Sequence, residues 1–278
     1  MNINNQHSEK KHYGSLSHSL ISSYLFLAVV PLIFVLWFSY QQTQKSLNES
    51  ISAKLTQSSK LSRDFIENWF FYRFADLNSL TESRNNLILL NKLSDGFKKS
   101  NDSLKEYVDS FDWTNHAGSN KNVLISFGRR YDYVKDLYLI DINGNILYSM
   151  ERKSDLGRNL FSGNLASSKF SKAVKMTLES GKDIFSDLEY YTPSGNQITG
   201  FITSEISNDV GESIGVLAVQ LRFDGVFQHF STVTNIDYLH HYIIEKNGEL
   251  RTPINENKLN EIFKRKIKTE EYGHIETD

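Results

Sequence analysis

The chain has 278 residues, a formal net charge of −2 and no cysteine. The near balance of charge removes any general electrostatic argument for a nucleic-acid partner, since proteins of that class carry a strongly basic surface. The lack of cysteine excludes disulfides, thiol catalysis and cysteine-ligated metals, but it does not select a compartment.

A long apolar segment stands close to the N-terminus. Residues 20–40, LISSYLFLAVVPLIFVLWFSY, carry no formal charge over about 21 positions, enough for one helix across the hydrocarbon core of a bilayer. A cleaved signal peptide has a shorter apolar core, of about 7 to 15 residues. We therefore predict a cytoplasmic leader at 1–19 and a transmembrane helix at 20–40. The flanking charges alone do not set its orientation.

The segment after the predicted membrane helix has the spacing of one long helix. A helix of about 40 residues would rise roughly 60 Å, which favours a stalk over residues 41–84. Its apolar stripe suits packing against the chain's own domain, and it suits equally a parallel homodimer formed with a second copy. The stripe consists of Leu47, Ile51, Leu55, Leu61, Phe65, Trp69 and Tyr72.

Broken helical signals follow, and then the period changes to that of strands. Interruptions are predicted at 94–96, 100–103 and 117–120. Residues 137–149, LYLIDINGNILYS, predict a β-hairpin around Asn143 and Gly144, a pair that suits the positive φ angles of tight hairpins.

The remaining pattern predicts one more helix and three consecutive strands. The helix covers Ala166 to Ser180 and ends at Gly181. This order indicates an α+β fold, with one antiparallel sheet covered by helices on one face. The strands are predicted at 184–191, 198–206 and 214–221, with turns at 192–196 and 208–212.

Several of these segments resemble a family when they are taken together in order. They are similar to the membrane-distal module of double Cache domains, the PAS-like extracytoplasmic sensor domains of bacterial transmembrane receptors. The resemblance extends over about residues 47–278. It is carried by LYLIDINGNILYS, by GRNLFSG at 157–163, by GKDIFSDLEYYTPSGNQITGFITSEI at 181–206 and by IGVLAVQL at 214–221.

The resemblance implies two PAS-like modules stacked along a long helix. The distal module would occupy 85–235 with a connecting helix at 223–233, and the proximal module would begin at 236–278 with a hairpin at 237–254. We expect the chain to be a fragment, because the last strands of the second module and a second membrane helix are expected to follow. The output could then be a histidine kinase, a chemotaxis transducer or a diguanylate cyclase. The expected location is the bacterial inner membrane, with the sensor domain in the periplasm or outside the cell.

The resemblance also implies a small-molecule ligand held over the sheet. Members that bind amino acids carry an arginine, a tryptophan and a tyrosine after the first hairpin, whereas residues 150–163 here contain Arg152 and Arg158 without either aromatic. Because arginine binds carboxylates in a bidentate manner, an organic acid is the expected ligand class. Each candidate also has an ordinary role as a packing or surface residue. The candidate ligand-binding residues are Tyr148, Arg158, Asp187, Tyr191 and Thr203.

One motif raises the question of an enzyme. Gly211, Ser213 and Gly215 match the nucleophile-elbow pattern G-x-S-x-G, which requires a strand before it and a helix after it. Here an apolar strand follows, so we interpret the match as coincidence and predict no catalytic residue, metal or cofactor in the part present. His240 and His241 would point to opposite sheet faces and make no metal site. The alternatives to a sensor are a cell-envelope scaffold without a small-molecule ligand and an anchored hydrolase.

Overall fold

The structure is a computed structural model that describes residues 13–232, 242–253 and 256–267. The chain divides into two compact units, Met1–Leu61 and Ser62–Asp278. Helix α1, Tyr13–Thr81, supplies the described part of the first unit and the first element of the second.

The first unit consists of the apolar part of α1 and the turns that follow it. Its large apolar side chains between Leu20 and Tyr40 are exposed, with Leu27 at 73 %, as expected where lipid would be the solvent. Pro31 lies inside the helix. Within the described ranges, α1 is the helix long and apolar enough to cross a membrane. The predicted helical conformation of the apolar segment and of the stalk is confirmed, although α1 ends at Thr81 and not at residue 84.

Four helices separate α1 from the sheet. The predicted interruption at 100–103 is confirmed, because Asn101 adopts the left-handed conformation at φ 57° and Ser103 caps the next helix. The interruption predicted at 94–96 is wrong. The helix runs unbroken through Gly96. A Cβ there would lie 2.4 Å from the hydroxyl of Tyr107, so close packing explains the glycine. The helices are α2 at Arg84–Ser100, α3 at Leu104–Val108, α4 at Phe111–Asn120 and α5 at Asn122–Arg130.

Six antiparallel strands form the sheet, in the order β2-β1-β6-β5-β3, with β4 also paired to β5. Helix α6, Lys169–Ser180, lies between β2 and β3 in the chain, and α7, Asp224–Thr232, follows β6. The predicted α6 is confirmed, with Gly181 as its left-handed cap at φ 65°. The strands are β1 at Val134–Asp141, β2 at Ile146–Ser149, β3 at Ile184–Phe185, β4 at Glu189–Tyr191, β5 at Gln197–Ser207 and β6 at Ser213–Leu221.

Two details of the predicted strands are corrected. In the confirmed β1–β2 hairpin Gly144 has a positive φ, of 82°, whereas Asn143 does not. The predicted strand 184–191 is two strands, because Asp187 has a φ of 64° and interrupts the extended backbone between them. The strands predicted for β5 and β6 are confirmed within one residue at each end.

Both faces of the sheet are covered by helices, so the prediction of helices on one face is wrong. Alternate residues of a strand point to opposite faces. The Oγ1 atoms of Thr203 and Thr177 in α6 lie 2.7 Å apart, whereas Ser204 donates a hydrogen bond of 3.1 Å to Asn78 in α1. Since the middle of β5 is buried on both sides, both sides need cover. By register, the α6 face carries Tyr138, Phe201 and Thr203, and the α1 face carries Leu139, Ile202 and Ser204.

The C-terminal residues begin a second hairpin beside this module. Ile244 and Leu250 form an antiparallel bridge around a turn in which Gly248 has a φ of 84°. The described part of the hairpin expected at 237–254 is thereby confirmed, as is the predicted connecting helix, now α7. His240, His241 and residues 271–278 lie outside the described residues.

Candidate functional site

A set of buried polar side chains lies on and beside the α6 face of the sheet. Buried polar groups carry a desolvation cost that a structural core avoids, so this set is the candidate functional site. We call it the polar cluster. It consists of Asp136, Tyr138, Ser149, Asp155, Tyr191, Ser194 and Gln220, all buried.

Asp136 has three hydrogen-bond donors around its carboxylate. The amides of Leu137 and Glu151 donate to Oδ1 at 2.7 and 3.0 Å, and the Ser149 hydroxyl donates to Oδ2 at 3.0 Å. Nevertheless, burial raises the pKa of Asp136 to about 6. Loss of water therefore outweighs the donors, which by themselves would lower this pKa.

Asp155 is held by Tyr191, whose hydroxyl donates a hydrogen bond of 2.9 Å to Oδ2. Its other oxygen, Oδ1, is buried and has no hydrogen-bond partner among the described residues. Burial and the adjacent carboxylate raise the pKa of the Tyr191 phenol, so this hydroxyl remains a proton donor. A buried carboxylate oxygen without a partner is the kind of group that a ligand donor would satisfy.

Gln220 and Ser194 join the cluster to the central strands. The Gln220 amide donates to the Ser194 hydroxyl at 2.8 Å, and the hydroxyl of Tyr138 lies 3.4 Å from Gln220 Oε1. Burial, followed by the charge of Asp136, raises the pKa of Tyr138 well above its usual value. At neutral pH this phenol is therefore protonated.

Aromatic rings fill the middle of the α6 face. Phe170 of α6 stacks on Phe201 with ring centroids 3.9 Å apart, and Tyr191 meets Phe201 edge-on at 4.9 Å. The hydroxyls of Tyr138 and Tyr191 thus emerge from an apolar wall into the polar cluster. This arrangement orients them and keeps water away.

The structure brings two of the five predicted site residues to one face. Tyr191 belongs to the polar cluster, and Thr203 lies on the same face, bonded to α6. Tyr148 stands opposite Leu139 in the register and so lies on the α1 face. Arg158 is exposed and donates to the side chain of Asn164 at 3.1 Å.

Asp187, the fifth candidate, lies at the junction of β3 and β4 and forms ion pairs. It accepts from Arg251 at 3.2 Å and pairs with Lys169. Its role in this structure is to join α6 and the C-terminal residues to the edge of the sheet.

Two central residues, Asp136 and Asp155, were missed by the sequence reasoning. Asp136 had a detectable signal, since it is a carboxylate among the apolar positions of β1, VKDLYLID. Asp155 stands in a loop, where an acidic residue predicts exposure. Only its position under Tyr191 shows that it is buried.

The G-x-S-x-G match has a structural explanation. Ser213 is the first residue of β6, and a strand follows it, not the helix that a nucleophile elbow requires. A Cβ at Gly215 would lie 2.2 Å from the carbonyl oxygen of Ile140, so close strand packing explains this glycine. Within residues 13–232, 242–253 and 256–267, no group of three or more histidine, aspartate or glutamate side chains could hold a metal ion.

Comparison with known proteins identifies the fold. No family model and no curated protein matches the chain. Among solved structures, the ligand-binding domain of the Pseudomonas aeruginosa amino-acid chemoreceptor PctC, in complex with GABA, has a TM-score of 0.50 at 10 % identity, over 76 % of this chain and 77 % of that one. This likeness shows the fold alone. The chain has the fold of the ligand-binding sensor domains of chemoreceptors, which agrees with the double Cache resemblance.

Two further structures are similar at lower scores. The ligand-binding domain of the Pseudomonas fluorescens chemoreceptor CtaA, in complex with L-serine, has a TM-score of 0.47 at 11 % identity, over 78 % of this chain and 77 % of that one. The sensor domain of the V. cholerae histidine kinase DctB has a TM-score of 0.40 at 14 % identity, over 64 % and 67 %.

Proposed function

We propose that this chain is the extracytoplasmic, small-molecule-sensing portion of a bacterial transmembrane receptor. The observation that carries the proposal is the polar cluster on the α6 face, where Asp155 has a buried oxygen without a partner among the described residues. The domain of PctC with the same fold binds GABA. A buried and incompletely satisfied polar group in such a fold favours recognition of a ligand.

The cluster favours a ligand that brings a hydrogen-bond donor. Asp155 Oδ1 can accept from an amine or a hydroxyl, and a charged amine would also neutralise the buried carboxylate. The organic acid expected from the sequence depended on an arginine over the sheet. Arg158 is exposed and bonded to Asn164, so the ligand proposed for this cluster is an amine or a polyhydroxy compound.

Signalling would depend on a difference in affinity between two conformations. A ligand shifts an equilibrium only if it binds one state better than the other. Helix α6 covers the polar cluster, and the apolar part of α1 would anchor the chain in the membrane with the sensor domain outside the cytoplasm. The exposed residues Leu47, Ile51, Leu55 and Leu61 on α1 form the surface proposed for a homodimer.

A binding screen tests this function with the full chain in lipid nanodiscs. Amines, amino acids, polyols and dicarboxylates are compared by thermal shift and then by calorimetry. A true ligand at a hundredfold excess over its Kd should stabilise the fold by about 2.7 kcal/mol. Asp155→Asn and Tyr191→Phe should abolish that shift, whereas Ser204→Ala on the α1 face should retain it. Equal shifts in Asp155→Asn and wild type would exclude the polar cluster as the site.

The alternative function is a cell-envelope scaffold without a small-molecule ligand. The stack of Phe170 on Phe201 favours it, because closely packed rings in the middle of the face are what a purely structural core would contain. The screen separates the two functions, since a scaffold would show no shift with any compound. Alkaline phosphatase fused after Asp278 tests the orientation. Activity of the phosphatase fusion is expected. An inactive phosphatase fusion together with an active cytoplasmic reporter fused at the same position would contradict the sensor.

A further inference from the structure

A second concave site adjoins the polar cluster, which it meets where Lys153 approaches Asp136. It has a cavity of about 660 Å³ where β1 begins and β6 ends, next to the start of β5. This volume falls in the usual range for small-molecule sites, about 300 to 1,000 Å³. One wall comes from the sheet and α7, and another comes from Leu259 and Asn260 in the C-terminal residues. We call this site the basal groove.

Three cationic side chains line the basal groove. They are Lys135, Lys153 and Arg222, against two carboxylates, Glu151 and Asp224. Burial, and then the charges of Lys153 and Arg222, lower the pKa of Lys135, while Asp224 opposes this effect. The charges of Lys153 and Arg222 therefore act unfavourably on Lys135, and Asp224 is the carboxylate that opposes them.

Within the described residues, Lys135 and Arg222 form no ion pair, and Lys153 has one distant carboxylate partner. Lys135 donates to the neutral amide oxygen of Gln197 at 2.7 Å, a bond that supplies no countercharge. Lys153 lies 3.9 Å from the carboxylate of Asp136, near the limit of an ion pair. An anion that enters the groove would remove the repulsion and gain charge-assisted hydrogen bonds.

We propose that the basal groove binds a small dianion, a dicarboxylate or a phosphate. A double negative charge suits a site in which Lys153, Arg222 and Lys135 supply three cations. The side chains of Asn196, Gln197 and Asn260 add neutral donors at the rim. Because the wall that contains Asn260 belongs to the C-terminal residues, an occupied groove would tie those residues to the sheet. The groove adjoins the polar cluster, because Lys153 contacts Asp136, but anion binding there does not require a ligand at Asp155.

The test is calorimetric titration of the full chain in nanodiscs with succinate, and separately with inorganic phosphate, at constant ionic strength. Removing one charge-assisted contact is expected to weaken binding by about tenfold or more. Lys153→Gln and Arg222→Gln should each show this loss. Lys172→Gln removes an exposed lysine of α6 outside the groove, and it should bind as wild type does. Raising the salt concentration should also weaken binding, since part of the attraction is screened.

Each outcome decides the proposal. Binding of succinate but not phosphate identifies a dicarboxylate site, and the reverse identifies a phosphate site. The proposal is overturned if neither anion binds at millimolar concentration, or if both groove variants behave like Lys172→Gln. Arg222 is exposed, so its variant gives an answer even if Lys153→Gln fails to fold. If the anion proposal is overturned, the function proposed for the polar cluster still stands, because it is tested separately with variants of Asp155 and Tyr191.

Discussion

The two faces of the sheet are made from alternate residues of the same strands, yet their chemistry differs. In β1, Leu137 and Leu139 point to the α1 face, whereas Asp136 and Tyr138 point to the α6 face. All four are fully buried. Both faces bury apolar side chains, but the buried carboxylates of Asp136 and Asp155 lie on or beside the α6 face, where their burial costs free energy. A fold that keeps such groups on one face favours function on that face.

The largest effect is expected from removing the aromatic centre of the α6 face. Phe170→Ala should destabilise the chain by about 3–5 kcal/mol, because it removes a buried ring and leaves a cavity. Denaturant unfolding followed by tryptophan fluorescence measures the change. Phe111→Ala is the control, since that ring is 78 % exposed, and it should change stability by less than about 0.5 kcal/mol. Similar losses for the two variants would mean that Phe170 is not part of a packed core.

The buried carboxylate of Asp136 should make stability depend on pH. Its pKa is raised from 3.8 to about 6, so the folded state binds more protons than the unfolded state between these values. Stability should therefore fall as pH rises from about 4 to about 6, by up to about 3 kcal/mol. Asp136→Asn cannot titrate and should lose this slope.

The measurement is the free energy of unfolding at closely spaced pH values for wild type and Asp136→Asn. The difference between the two curves isolates the one carboxyl from all other titrating groups. A constant difference from pH 4 to pH 7 would show that Asp136 has an ordinary pKa and that the chemical contrast between the two faces is smaller than the structure indicates.

Arg251 tests whether the edge of the sheet holds the C-terminal residues. This arginine, with a side chain only 9 % exposed, pairs with Asp187 at 3.2 Å, with Glu249 at 3.3 Å and with Glu245. Arg251→Gln should cost about 1–2 kcal/mol, less than a fully buried pair because the carboxylates are partly exposed. Amide hydrogen exchange should accelerate in residues 242–253 while the β5–β6 pair stays protected. Arg265→Gln, which breaks an exposed pair with Glu261, should have little effect.

The smallest expected effect concerns the start of α6. The Ser168 hydroxyl accepts a hydrogen bond of 3.0 Å from the amide of Ser171 and caps the helix. Ser168→Ala should lower stability by about 1 kcal/mol. Ser180→Ala, at the other end of α6, removes no N-terminal cap and should cost less in the same unfolding experiment. Equal costs would show that the cap does not stabilise the helix covering the polar cluster.

Local sequence signals accounted for most of the secondary structure. Gly144 and Gly181 end elements because they accept positive φ angles, and their neighbours alone reveal those turns. At Gly96 the same reasoning gave a wrong prediction of a helix break. The glycine is there because a larger residue would collide with the hydroxyl of Tyr107. Asp187 interrupts a strand without the glycine or proline that would have indicated it.

The sequence by itself determined the apolar helix, the order of helices and strands and the alternation that makes a two-faced sheet, because these depend on neighbours in the chain. Only the tertiary structure decided which face carries the buried carboxylates. It also placed α1 against β5 through Asn78 and Ser204, 126 residues apart, and Arg251 against Asp187, 64 residues apart. Such pairs follow from how the elements pack, since hydrogen bonds and ion pairs between distant residues leave no periodic pattern in the chain.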